Sequence, residues 1–345
     1  IGEEYEPRSA MPSLEEYLTR EAVLQRSPGE MFEYSNPGFN LLELVVENVT
    51  GESFANYMQD EVLAPLGMEH ASYEWDEAIR PLLPLGYDLQ EGPVPPYVYP
   101  ASASGGLFAT VEDIARFAAA GMGSNAVDQG VLSSSSIREI HSPQVEIPGM
   151  FGMVAEEYGF GHFLETLPDG RTAAWHGGQG HGWMTHFHVV PETGDGIVIF
   201  TNSQRSWPLI ARVLRMWGRW SGVGIVHFGV ITTATVVFEV LTALLLAFCV
   251  WMTLRLIRGL RNGTREFRPL SQRRRFPRVL LALGAAGIAA GLAWADAQPY
   301  LFVSSIFPGA VRPAAYVLVF LAVVCAVAAC LPRKGGRVSP TPSAR

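Results

Sequence analysis

Lysine is almost missing from the 345 residues: Lys334, in the polar C-terminal tail, is the only one. A Walker A loop, which needs a lysine against nucleotide phosphates, is thereby excluded. Cysteine is nearly as scarce. Cys249, Cys325 and Cys330 all lie in apolar runs, and residues 1–222 have none. No disulfide framework or zinc-finger spacing can be built from them, and they read as small packing residues. The G-x-S-x-G, H-E-x-x-H and G-x-G-x-x-G signatures and internal repeats are absent too. The chain opens at Ile1 without a methionine or a signal peptide, and reads as a fragment or a processed chain.

Acidic residues are confined to one side of the chain. Residues 1–222 hold 30 Asp and Glu against 11 Arg, whereas residues 223–345 hold three acids against 13 Arg and Lys334. Two parts of opposite charge imply two environments. An acidic front part excludes nucleic acid as a partner, because phosphate needs a basic face.

Three apolar runs fill the second part, with spans expected over about 227–254, 279–300 and 314–331. About 20 apolar residues cross a bilayer. Between the first two spans, residues 255–278 carry nine Arg and one Glu. Such a loop marks the cytoplasmic side, and the tail after Leu331 is also basic. Three spans with both basic segments inside place residues 1–222 outside, as the extracytoplasmic part of a multi-pass cell-membrane protein. Glu239 falls within the first span, where an acid is a functional candidate. Gly287 and Gly291 form a GxxxG packing motif.

The front part reads as helices followed by antiparallel strands. Residues 36–50 have helical periodicity and stop at Gly51; residues 53–68 begin on Ser53; residues 110–121 begin on Thr110 with acids in the first turn. From Tyr158 onward, strand-like runs alternate with the turns LPDG, GQGHG and PETG. An amphipathic helix over 207–220 can then cover the sheet.

Four of the eight histidines crowd into residues 175–189: His176, His181, His186 and His188. His186 and His188 share one strand face and could chelate zinc, but no acid in the strand completes a ligand set. Ordinary sheet packing is the favoured reading, and no metal is expected. His176 differs, since Gly177 and Gly178 follow it at a strand end. Glycine there lets a ligand approach the backbone, and backbone N–H groups aimed into a cleft can bind an oxyanion.

Residues 29–68 carry Tyr34-Ser35-Asn36, a glycine, a long helix and the ending PLGM. With His176-Gly177-Gly178 and the segment 101–117 between them, the chain resembles the serine β-lactamase and penicillin-binding-protein superfamily, in its class C-like, esterase-like branch. The likeness covers roughly 27–220. It implies an α+β fold, with a helical region and an antiparallel sheet, over a hydrolase-like domain of residues 1–222, followed by a transmembrane region of residues 223–345.

The resemblance also implies acyl transfer through a serine ester on a peptide, amide, ester or lactam, without a cofactor. Tyr34 would be the general base, its proton affinity lowered by a nearby cation. Asn36 would hold substrate amides, His176 would donate to a substrate carboxylate or carbonyl, and Gly178 and Gln179 would border the oxyanion site. The partners implied are a small-molecule or peptide substrate and membrane lipid; no oligomeric state is implied. The family's Ser-x-x-Lys nucleophile motif is absent, since Lys334 has no serine three residues before it, so the chain is expected to be inactive alone. The other reading is a catalytically silent domain that binds cell-wall-like ligands or a partner protein.

Overall fold

Residues 2–122, 131–149, 151–267, 275–298 and 302–333 are described in the computed structural model. Lys334, part of the Arg-rich loop and the end of the expected second span lie outside the described residues. Contacts divide the chain into two units, residues 1–232 and 233–345.

In the first unit, helix starts follow their capping side chains. Helix α1 (Leu14–Glu21) opens on a reciprocal pair in which Ser13 and Glu16 each accept from the other's backbone N–H. Helix α2 (Asn36–Thr50) is capped by Ser35 and ends on Gly51 at φ 76°, a left-handed stop that glycine adopts without steric cost. Helix α3 (Phe54–Met58), capped by Ser53, runs on as a π-helical turn (Gln59–Leu63). Strands β1 (Gly86–Tyr87) and β2 (Pro93–Val94) form a small hairpin. Helix α4 (Val111–Ala120) starts on a Thr110–Asp113 capping pair, and α5 (Ser134–Ile140) on Ser133.

A six-stranded antiparallel sheet follows, its strands adjacent in chain order: β3 (Val145–Glu146), β4 (Glu157–Tyr158), β5 (Phe163–Thr166), β6 (Thr172–Gln179), β7 (Met184–Val190) and β8 (Asp195–Thr201). Register sorts the side chains onto two faces, because alternate residues of a strand point opposite ways. Leu164, Ala174 and Val189 form a buried cluster with Ala118 of α4 on one face. Trp175, His186 and His188 lie on the other, under Phe228 and under Trp217 of helix α6 (Trp207–Ser221). This arrangement of helices against one antiparallel sheet is the α+β class read from the sequence.

The second unit contains helices α7 (Val230–Arg261), α8 (Arg275–Asp296), α9 (Phe302–Ile306) and α10 (Val311–Cys330). Three stretches are long and apolar enough to cross a membrane: His227–Arg261, Phe276–Asp296 and Val311–Cys330. The first outlasts the expected 227–254 because Arg255, Arg258 and Arg261 continue the helix. The third begins before 314 because Pro313 stands in the first turn, where its missing N–H costs no helical hydrogen bond.

Candidate active site

Tyr34, Ser35 and Asn36 stand at the N-terminus of α2, and each position has its own task. Ser35 Oγ accepts from the Gly38 N–H at 3.2 Å and starts the helix. Tyr34 precedes the helix, and its ring stacks at 6.2 Å on Phe163 of β5. Asn36 occupies the first turn and lines a cavity of about 1090 Å³. Across that cavity lies the end of β6, which contributes His176, Gly178 and Gln179, with Thr185 of β7 beside them. Tyr34 Oη and His176 Nε2 are 3.4 Å apart. The structure therefore brings Tyr34 against His176, 142 positions away. Asn36 and His176 line the cavity, while Tyr34 itself lines a neighbouring cleft with Phe32, Ser35 and Gly38.

Helix α2 also fixes the opposite rim. Glu43 Oε2 accepts from the backbone N–H groups of Ser102 and Ala103 at 2.7 and 2.8 Å, and Asn40 Oδ1 from that of Ser104 at 3.1 Å. Glu43 and Asn40 are buried, and Ser102 to Gly106 line the cavity. Asn36, Asn40 and Glu43 recur at helical spacing, so they share one face of α2. That spacing was visible in the sequence, but its partner segment was not.

The electrostatics of the pair depart from the expectation. Burial lowers the His176 imidazole to about 4, with His162 adding to the effect, so His176 is neutral at pH 7. Burial pushes the Tyr34 phenol above its ordinary value. A phenol acting as base needs a cation beside it, and its described ring neighbours are Phe163 and the neutral His176. The lowered proton affinity expected for Tyr34 is therefore not supplied by these residues.

The strand end is tightly built. The Gly178 N–H donates to Thr185 Oγ1 at 3.1 Å, so this donor is engaged within the sheet. A Cβ at Gly178 would stand 2.4 Å from the same oxygen, so a larger residue there would have to turn the Thr185 hydroxyl away and break this bond.

The remaining histidines of the cluster separate. His181 Nδ1 lies 2.9 Å from Glu4 Oε2. His186 and His188 are fully buried, their rings beside Trp175 and Trp217, although His186 also borders the cavity. His188 Nε2 is 3.2 Å from Glu165 Oε1, and His227 Nδ1 is 3.1 Å from Glu165 Oε2. Both contacts lie off the hydrogen-bond axis, but the His227 backbone N–H donates to the carboxylate. Glu165 is the acid that the strand itself lacks, brought in from β5, and it links the sheet to the residue that opens the first apolar span. Among the described residues, no group of three or more His, Cys, Asp or Glu is placed to hold a metal ion. Glu165 and His227 gave no local signal in the sequence, because they are 62 residues apart.

Comparison with known proteins gives consistent matches. The profile of the family described as Beta-lactamase matches residues 4–214. A D-aminopeptidase of Gluconobacter oxydans is 28% identical over 201 residues, covering 56% of this chain and 35% of the relative. Protein flp of Staphylococcus aureus is 40% identical over 67 residues, covering 19% of this chain and 14% of its own. Among solved structures, the octameric penicillin-binding protein homologue from Pyrococcus abyssi aligns with a TM-score of 0.49 at 24% identity, over 57% of this chain and 45% of that one. The chain thus spans about a third of the D-aminopeptidase that it matches.

Proposed function

Because the chain belongs to the beta-lactamase family, we propose that residues 1–232 form the substrate-binding part of a membrane-anchored serine hydrolase that works through an acyl-enzyme. The observation that carries this reading is the Tyr34–His176 approach at 3.4 Å beside a cavity walled by Asn36, Gly178 and Gln179. A serine supplied by a Ser-x-x-Lys segment outside these 345 residues attacks the substrate carbonyl. The lysine ammonium holds Tyr34 as the phenolate, which takes the serine proton and hands it to the departing amine or alkoxide as the substrate C–N or C–O bond breaks. Asn36 holds the substrate amide, and the end of β6 borders the developing oxyanion.

The neutral His176 narrows the substrate. An uncharged imidazole offers one N–H to a carbonyl and no ion pair to a carboxylate. Esters, amides and peptides with an uncharged group at this position suit the site better than β-lactams, which carry a carboxylate. Peptide and amide chemistry also agrees with the name of the D-aminopeptidase relative. The competing reading, a silent binding domain, draws on the missing Ser-x-x-Lys. The test is steady-state hydrolysis by the product of the gene read upstream of Ile1, with matched neutral and carboxylate-bearing esters. We expect turnover with a higher kcat/KM for the neutral ester. Preference for the carboxylate would overturn the role of His176, and an intact gene without Ser-x-x-Lys or turnover would favour the binder.

The basic segment over residues 255–278 supports an inside location for that loop and an extracytoplasmic location for the hydrolase-like unit.

A further inference from the structure

Helix α6 already has one partner. Ile210, Leu214 and Trp217 are buried on its inner side, with the Trp217 ring 5.6 Å from that of His188. Its outer side should then be polar, yet Leu209, Met216 and Trp220 are 52, 63 and 86% exposed. Their spacing places them along one helical stripe. Ile225, just after the helix, is 74% exposed. A contiguous exposed apolar stripe of this kind marks an interaction site.

The charge around the stripe identifies the partner. Arg212, Arg215 and Arg219 are exposed on the same helix, and residues 196–238 contain no Asp or Glu, although the rest of the unit is strongly acidic. Three acids act on Arg171 near the C-terminal end of α6: Asp169 pairs with it at 2.6 Å, Glu192 accepts from the Thr172 N–H at 3.0 Å, and Asp195 accepts from the Thr193 hydroxyl at 2.7 Å. Arg171 in turn donates to the carbonyls of Gly222 and Val223.

Chain continuity limits where this surface can lie. The residues 222–226 that join α6 to the first apolar span reach at most about 18 Å. The span, His227–Arg261, exceeds what the hydrocarbon core needs. With the inner boundary at Arg255, about 20 residues of helix put the other boundary near residue 235. Residues 227–234 then rise through the headgroup layer by about 12 Å. The C-terminal end of the stripe is thus tethered within about 18 Å of the residue that opens the span. Trp favours the headgroup zone, and Arg can lie along apolar surface while its guanidinium meets phosphate.

We propose that the outer face of α6, with Ile225, docks on the anionic phospholipid surface of the membrane that the chain spans, as an interfacial helix holding the hydrolase-like unit against the bilayer. The docking depends on phosphate-bearing headgroups and on the Leu209–Met216–Trp220 stripe, and it is independent of catalysis.

The test uses the full chain with Cys249, Cys325 and Cys330 replaced by Ser, one copy per lipid nanodisc. A fluorophore is placed at Met216→Cys or Trp220→Cys, with Glu52→Cys, exposed just after α2, as the control. In discs of phosphatidylcholine with phosphatidylglycerol, labels at 216 and 220 should be quenched by headgroup nitroxide lipids and shielded from aqueous iodide, and the label at 52 should behave oppositely. Each Arg at an anionic surface contributes roughly a fivefold shift. Arg212→Gln with Arg219→Gln should therefore lower the docked-to-undocked ratio on the order of 25-fold, and pure phosphatidylcholine should have a similar effect. Labels at 216 and 220 as open to iodide as the one at 52 would overturn the proposal. Shielding that appears only with several copies per disc would also overturn it, assigning the face to a second copy of the chain.

Discussion

Four histidines of the first unit are held away from protonation by burial. His176 and His141 are lowered to about 4, and His162 and His186 lie below the ordinary imidazole value. In the unfolded chain they titrate near 6.5. Between about pH 6.5 and 4 the unfolded state therefore binds more protons, and stability must fall as the pH falls. Glu43 acts in the opposite direction at the acid end, since burial raises its carboxyl, but one group opposes four. Thermal unfolding of the full chain in nanodiscs, followed by proteolysis within residues 1–232, should show a midpoint that is nearly level above about pH 7 and declines from about pH 6.5 to 4.5. A flat or rising profile would contradict the burial of these rings. The neutral His176 that this predicts is also the basis for the preference for uncharged substrates.

At the scale of elements, α2 carries Asn36 into the cavity and, from the same face, holds Ser102, Ala103 and Ser104 by their backbones. Glu43→Ala removes two of those bonds. Hydrogen bonds to a charged group contribute about 1.5–3 kcal/mol each. Amide hydrogen exchange at Ser102 and Ala103 should accelerate by at least tenfold, while the interior of α2 remains protected. Unchanged exchange at Ser102 would show that the rim does not depend on Glu43.

Much of this scaffold was legible beforehand. Ser35, Ser53, Thr110 and Gly51 marked helix ends by local chemistry, and LPDG, GQGHG and PETG marked the turns between the long strands. The short strands β1 to β4 were not separable, because two residues show no period. The Ser13–Glu16 capping pair was present in the sequence as Ser-x-x-Glu, without a long apolar run behind it. The Glu43 clamp and the Glu165 link between His188 and His227 join segments distant in sequence, so nothing nearby announced them. Tyr34, Asn36 and His176 could be selected by resemblance. The sequence could not tell that the Tyr34–His176 neighbourhood is uncharged, because burial is a property of the fold.

At the scale of the whole molecule, an acidic unit is joined to apolar helices whose connecting loop is basic. The proposed orientation, with the loop inside and the first unit outside, rests on that asymmetry. With the native cysteines replaced by Ser, a maleimide that does not cross membranes should label Gln90→Cys in intact cells. Asn262→Cys should react only after permeabilisation. The reverse pattern would invert the topology.

The central claim is that Tyr34, at the N-terminus of α2 and facing His176, is the proton acceptor for a serine that these 345 residues do not contain. The most direct measurement is the rate at which a fluorophosphonate acylates the product of the gene read upstream of Ile1, followed by intact mass and peptide mapping. The adduct should map to a serine before Ile1. Tyr34→Phe should slow its formation by about 10²–10⁴-fold, whereas His188→Ala, buried under Trp217, should leave it unchanged. Equal rates for Tyr34→Phe and the native protein, or an adduct on a serine within residues 1–232, would contradict the account.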